Sequence, residues 1–364
     1  MSPSSPWWRP DRHADRRPFL MARMRIQRAI RQALCADNFI EVETDCLQPS
    51  PGNETHLHAF ATEWIGPDLA RHALYLPTSP ELAMKKLIAA GEPRIFQFAP
   101  SFRNRERGPL HAPQFTMLEW YRAGLEGFPQ AGADEEPEKT GDEADFEVMI
   151  GDALSLITTA AEAAGTQTLR YRDREAAVDR VRLMRVDVAL ASILSLDIET
   201  VQAAIRRGND AAMRDISRAA GLRVGADDTW SSLFSKLVTV LEPNLCNGEI
   251  VVLTHYPVSQ SAFACADPLH PRLALRFEVY ACGVELANGC CELVSGREQR
   301  VRLDAQMAER RTVYGEAYPI DDDFIAAVGS MPNAAGCAIG FDRLVMLATG
   351  ASHIDHVRWT PQPA

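Results

Sequence analysis

The segment Phe115-Thr116-Met117-Leu118-Glu119-Trp120-Tyr121 constrains the fold more than any other. Side chains of a strand alternate between faces, so Phe115, Met117, Glu119 and Tyr121 share one side and Thr116, Leu118 and Trp120 the other. A face that carries both a carboxylate and a phenol is not pure core. Upstream, Ser101-Phe102-Arg103-Asn104 and a variable loop lead into this run, giving strand, basic loop, strand, with one arginine placed to meet a phosphate. Far downstream, the segment from Gly336 to Leu344 reads as a glycine-bracketed turn into a helix with a second arginine, Arg343, at its start. Two arginines at two such approaches point to a nucleoside triphosphate held at both ends.

A chain of 364 residues, 46% hydrophobic and 24% charged, can bury a large core as one big domain or two small ones. Its formal net charge of -11 argues against broad nucleic-acid binding, which needs a basic surface to displace counterions. No run of eighteen apolar residues occurs, and Trp7 to Arg12 lacks the apolar core of a signal peptide. A cytoplasmic protein without membrane association is therefore expected. Eight cysteines, none in a C-x-x-C pair, fit neither a zinc site nor a disulfide scaffold and are expected to stay reduced.

Residues 1 to 17 are rich in Arg and Pro and read as poorly ordered. From Phe19 to Leu34 apolar residues recur at Phe19, Ala22, Ile26, Ile30, Ala33 and Leu34, the spacing of an amphipathic helix. In Phe39-Ile40-Glu41-Val42-Glu43, a strand would turn Ile40 and Val42 one way and the glutamates the other. Thr78-Ser79-Pro80-Glu81 opens another helix, with Ser79 suited to cap, Pro80 to the first position and Gly91 to the far end. Taken alone, that tetrapeptide is a helix start and nothing more. The segment 126–147 is acidic, contains Pro129, Gly132, Pro137 and Gly141, and reads as a flexible insertion. Helical patterns dominate 151–243, including Asp152 to Ala164 and Thr229 to Glu242. Strand patterns return from Ile250 and lead into a last helix near Asp342.

At the end of its strand, Arg103 is placed to clamp an α-phosphate and stabilise charge building there. An isolated arginine is ordinarily a surface ion pair of little worth; the strand-loop-strand setting favours the phosphate. Phe115 is placed to stack on an adenine ring, and His111 in the loop to reach the outer phosphates. Downstream, if Ala281 to Gly283 turn the chain, Glu278 and Glu285 come opposite one another on a hairpin, roughly 5 Å apart between Cβ atoms. Like charges that close need a counter-ion, and Mg2+ bridging triphosphate oxygens would supply it. Gly340 allows close approach of a ligand at a helix N-terminus, and Arg343 adds charge where the dipole is already positive.

Together these elements resemble motifs 2 and 3 of the class II aminoacyl-tRNA synthetases, and the helix and strand from Phe19 to Glu43 resemble motif 1, the family's dimer-forming element. From about Phe19 to Gly350 the chain is similar to the catalytic domain of the lysyl branch, above all to its free-standing relatives that place β-lysine on elongation factor P. The matching segments are Phe39 to Thr44, Thr78 to Glu81, Phe115 to Arg122, Phe277 to Tyr280, Glu285 to Gly289, Glu292-Leu293 and Gly340 to Leu347.

The resemblance implies an α+β class II catalytic domain over residues 18–355, with an antiparallel sheet flanked by helices and a helical insertion between motifs 2 and 3. It implies ATP contacts from Arg103, Asn104, Arg105, His111, Phe115, Glu285, Leu286, Gly340 and Arg343, with Arg103, Arg343 and Glu285 catalytic. Lysine or β-lysine would be recognised by Ser79, Pro80, Glu81, Tyr121, Asn288, Glu292 and Ala338, and Mg2+ held by Glu278 and Glu285. Fewer than twenty residues precede the first catalytic helix, so no anticodon-binding barrel, and no tRNA binding, is expected. The expected activity is ATP-dependent formation of an aminoacyl-adenylate and its transfer to a lysine of elongation factor P, by a homodimer. The alternatives are a catalytically reduced amino-acid sensor, or a ligase with another small-molecule or tRNA acceptor. Departures cluster in the motif 2 loop. Arg105 stands where the family often has an adenine-binding glutamate, with Glu106 next to it, while Ala112 and Gln114 replace an asparagine and a glutamate.

Overall fold

The computed structural model describes residues 6–124, 142–245 and 248–362. The first helix, α1, spans Pro10–Ala36 and so begins inside the segment expected to be poorly ordered. Pro18 lies inside the helix, which runs through it. One anchor is Arg16, whose Nε donates to the Asp355 carbonyl at 3.1 Å and whose Nη2 donates to the Arg358 carbonyl.

After α1 come the short strand β1 (Ile40–Glu41), the hairpin β2 (Phe60–Ile65) and β3 (Arg71–Leu76), helix α2 (Glu81–Ala89), and strands β4 (Arg94–Phe102) and β5 (Gln114–Ala123). Val42 is half-buried and Glu41 and Glu43 are exposed, but Ile40 is exposed as well, since β1 is only a two-residue edge strand, and the buried apolar residue is Phe39. Helix α3 (Asp142–Ala164) ends at Gly165 as expected but starts ten residues before Asp152, so the acidic segment's last six residues are helical. The rest of that segment lies outside the described residues.

Next are β6 (Thr168–Tyr171), β7 (Arg174–Arg185), α4 (Val186–Ile193), α5 (Ile198–Arg207), α6 (Asp210–Ala219) and α7 (Trp230–Leu241). The region 151–243 is therefore not a purely helical insertion: β6 and β7 form a hairpin that extends the main sheet. The chain continues through β8 (Gly248–Thr254), β9 (Ala266–Asp267), β10 (His270–Ala274), β11 (Arg276–Ala281), β12 (Val284–Cys291), α8 (Gly296–Tyr314), α9 (Asp322–Val328), β13 (Ala334–Gly340) and α10 (Phe341–Thr349). Gly336 to Gly340 thus form a strand rather than a turn.

Nine of these strands make one sheet in the order β1-β4-β5-β13-β12-β11-β8-β7-β6. It is mixed rather than wholly antiparallel: β1 runs parallel to β4 and β7 parallel to β8, while every other pairing is antiparallel. Alternation sorts its side chains into layers. Phe96, Leu118, Trp120, Ile250 and Val252 face α1, α3 and α10 on one side. On the other side, Ile95, Tyr121 and Ala334 pack with α2, α8 and α9, whereas Val251, Leu253 and Tyr280 pack with α4 to α7. Each large side chain buried this way is worth roughly 1.5–3 kcal/mol. The second face is covered at its two ends by different helices, and the functional cavity lies in the stretch of sheet between them.

Candidate active site

A cavity of about 330 Å3 opens over β5, β13, β12 and β11. Phe115, Met117, Glu119 and Tyr121 of β5 all line it, as alternation requires. Ala338 stands in register between Glu119 on one neighbouring strand and Asn288 on the other. Gly336 is needed at its position, since a side chain there would collide with the Tyr121 ring and the Glu292 carboxylate.

The hairpin β11–β12 turns through Cys282 and Gly283, both at positive φ, 55° and 72°, as a two-residue turn of this hand demands. Glu278 and Glu285 are nevertheless not cross-strand partners. Glu278 pairs with Asn288 and Tyr280 with Glu285, because a bulge between Val279 and Tyr280 leaves Leu286 as an extra residue on β12. That extra residue reverses the alternation, so Glu285 and Asn288, three apart in sequence, both line the cavity.

One end of the cavity is acidic. Glu81, the first residue of α2, places a carboxylate oxygen 2.5 Å from Lys85 Nζ one helical turn on, and Lys85 Nζ lies 2.6 Å from Glu292. The same ammonium sits over the Phe263 ring, 4.6 Å from its centroid. Tyr121 donates its hydroxyl to Glu119 at 2.5 Å. Three carboxylates face one ammonium, so protons are held tightly. Burial, reinforced by Glu81, raises Glu119 to about 8, and burial raises Glu292 to about 7 against the pull of Lys85. Burial and then Glu119 push the Tyr121 phenol well above its ordinary value. Such a floor favours a cationic guest.

The other end is basic. The Arg103 guanidinium lies 5.2 Å from the Phe115 ring centroid and, among the described residues, hydrogen-bonds only the Thr78 carbonyl, at 3.4 Å. Arg343, near the start of α10, donates to the Glu285 carbonyl oxygen at 3.0 Å and lies 2.7 Å from His111 Nε2. Burial and then Arg343 lower the proton affinity of His111, which favours a neutral imidazole.

Glu278 accepts from the Tyr256 and Tyr280 hydroxyls and from Arg276 Nη2, each at 2.5 Å. Among the described residues, the Glu285 carboxylate meets only Arg343, at 3.7 Å. Burial and Glu278 raise its proton affinity, while Arg343 and Arg103 oppose the rise. A carboxylate short of donors beside a second one fits a hard cation such as Mg2+. Among the described residues, no three His, Cys, Asp or Glu side chains gather to hold a metal by themselves.

Of the residues expected from the sequence, Ser79, Glu81, Arg103, His111, Phe115, Tyr121, Glu278, Glu285, Leu286, Asn288, Glu292, Ala338, Gly340 and Arg343 line this one cavity. Pro80, Asn104 and Arg105 lie outside the lining. Pro80 caps α2 without facing the cavity, and Ser79 Oγ makes only a long, 3.4 Å contact with the Glu81 amide. Asn104 Oδ1 turns back onto the Arg105 amide, and Arg105, at φ 65°, is exposed while Glu106 lines the cavity in its place.

Sequence reasoning missed Lys85, Arg276 and Glu54, and noted Glu119 without assigning it a role. The i,i+4 spacing to Glu81 was a usable signal for Lys85, and the i,i+2 spacing to Glu278 was one for Arg276. Glu54 sits in a loop without periodicity.

The family model "tRNA synthetases class II (D, K and N)" matches residues 7–126 and 152–363. Among curated proteins, the chain is 34% identical over 346 residues to "Elongation factor P--(R)-beta-lysine ligase" of Vibrio cholerae, covering 94% of this chain and 95% of that protein. It is 33% identical over 343 residues to the protein of that name from Klebsiella pneumoniae, covering 93% and 94%. The one from Sodalis glossinidius is 34% identical over 341 residues, with 93% of each chain covered. No helix among the described residues is long and apolar enough to cross a membrane. With these matches and a cavity acidic at one end and basic at the other, the chain belongs to the class II tRNA synthetase family of the D, K and N type.

Proposed function

We propose that the protein uses ATP to activate lysine or β-lysine as the aminoacyl-adenylate, then transfers the acyl group to a lysine side chain of elongation factor P. The observation that carries this reading is the polarity of a single cavity, with three carboxylates around Lys85 at one end and Arg103 and Arg343 at the other. A cationic amino acid entering the acidic end directs its carboxylate toward the guanidinium groups, where the α-phosphate of ATP would lie. Attack by the carboxylate on that phosphorus expels pyrophosphate. Arg103 and Arg343 stabilise the charge that develops, and no covalent enzyme nucleophile is required.

Mg2+, held by Glu285 with Glu278 beside it, would supply charge neutralisation for the triphosphate. Both relatives and motif pattern support elongation factor P as the acceptor in the cytoplasm. The exposed Ile40 beside the motif 1 helix supports a homodimer closed on that edge. The test is ATP–pyrophosphate exchange with α-lysine and β-lysine side by side, followed by single-turnover transfer of label. Exchange absent with every lysine isomer removes the ligase reading, and label reaching tRNA instead of elongation factor P removes the acceptor.

A further inference from the structure

Glu54 lines the cavity but has no part in the chemistry above. Its loop is fixed on both sides of it. Asn53 and Thr55 are buried, and Asn53 Nδ2 donates to the Pro319 carbonyl at 3.1 Å. The Thr55 amide donates to Gln306 Oε1 at 3.1 Å. The fully buried Arg310 donates through Nη1 to the Thr55 and Leu57 carbonyls, 2.8 Å each. The Asn104 amide donates to the His58 carbonyl at 2.6 Å, which ties the loop to the turn that follows Arg103.

Between these anchors Glu54 is exposed and lines the cavity, and its carboxylate accepts no hydrogen bond among the described residues. The charges that act on it are Arg103, just past the end of β4, Glu81 and Lys85 of α2 and Arg276 of β11. The anchored loop therefore puts a carboxylate on the wall of the same cavity that Arg103 and Glu81 line.

We propose that Glu54 accepts a proton from the incoming amine in the transfer step, a role that rests on the two-step ligase reading. The acceptor lysine arrives as an ammonium with no lone pair on nitrogen. One proton passes to a Glu54 oxygen, and the freed lone pair attacks the acyl carbon. A C–N bond forms, and the C–O bond to the phosphate breaks with its electron pair leaving on AMP. The new amide nitrogen sheds its second excess proton to water, and Glu54 returns its own through the mouth. Activation has a carboxylate as nucleophile and needs no such acceptor.

The two half-reactions therefore separate in Glu54→Gln, an exposed and nearly isosteric change. Exchange is expected to stay at the wild-type level while single-turnover transfer to elongation factor P slows roughly 100-fold. Transfer should recover as the pH rises toward the acceptor's own deprotonation. Hydroxylamine arrives uncharged at neutral pH and should intercept the adenylate equally well in both proteins. A raised KM for the amino acid in exchange would overturn the proposal by making Glu54 part of the amino-acid pocket. Unchanged transfer, or hydroxylamine trapping that falls with transfer, would also overturn it. Wild-type protein that shows no exchange at all is a different outcome, which removes the ligase reading and not the assignment of Glu54 within it.

Discussion

The Lys85 ammonium and the Glu292 carboxylate lie 2.6 Å apart with 2% of each side chain exposed. Lys85 also bonds Glu81, so it holds the acidic floor together. Removing one partner of a buried pair leaves the other charge uncompensated and costs about 3–5 kcal/mol. Lys85→Met should lose stability of that order at neutral pH, read from urea unfolding. The loss should shrink in mild acid, where Glu292 takes up a proton. A loss independent of pH would mean that the packing of the methylene stem matters more than the charge.

The raised proton affinity of Glu119 gives a second prediction. Its folded value of about 8 stands above the unfolded value of about 4.3. Between those limits the folded state binds more protons than the unfolded one, so this group makes stability fall as pH rises. Glu119→Gln should remove that contribution, and the difference between variant and wild type should grow from pH 5 to pH 8. Binding of lysine should release protons over the same window, seen in calorimetry as heats that depend on the buffer's ionisation enthalpy. Equal slopes for both proteins would remove Glu119 from the titration.

Glu285→Gln keeps the shape of the side chain and removes the charge that faces Arg343 at 3.7 Å. Exchange should fall by a factor on the order of 100 or more, as when a group that organises transition-state charge is lost. Unfolding midpoints should barely move, because among the described residues the carboxylate makes no short hydrogen bond. Unchanged exchange would end the metal role.

How far the sequence could be read follows from where each signal resides. The Phe115 to Tyr121 face was legible because strict period-2 alternation survives in β5, and its four named residues all line the cavity. The hairpin β6–β7 was missed because β7 carries Arg174, Glu175, Asp179, Arg180, Arg182 and Arg185, charges more typical of a helix surface, on a strand near the sheet's edge. The pairing of Glu278 with Asn288 was hidden by the bulge at Leu286, since a counted register assumes that no residue is skipped. Glu54 was illegible for another reason: the anchors of its loop come from Gln306 and Arg310, 251 and 255 residues away from Thr55.

Ala338 sits between Glu119 and Asn288 and lines the cavity. One methyl group in a pocket shifts discrimination by about 1–3 kcal/mol, or 10–200-fold. Ala338→Gly should therefore change the ratio of exchange rates for α-lysine and β-lysine by at least about tenfold. A ratio that stays fixed would assign isomer choice to other lining groups.

Arg276 tests how the hairpin is held. It donates to Glu278 at 2.5 Å, to Asn288 Oδ1 at 3.2 Å and to the Gln260 carbonyl at 2.9 Å, and lies 4.5 Å from the Tyr256 ring centroid. Burial would lower its proton affinity, but Glu278 more than offsets that, so the guanidinium stays charged. Arg276→Met should cost about 3–5 kcal/mol, because Glu278 is then left as a buried charge with only two phenols. Exchange should also show a raised KM for the amino acid, since Asn288 loses the contact that orients its amide. Adding Glu278→Gln to that variant should restore part of the stability, as neighbours in one network are not additive. The double variant should not regain the KM, because Asn288 still lacks its partner. Full additivity of the two changes in urea unfolding would show that the pair does not act as a unit.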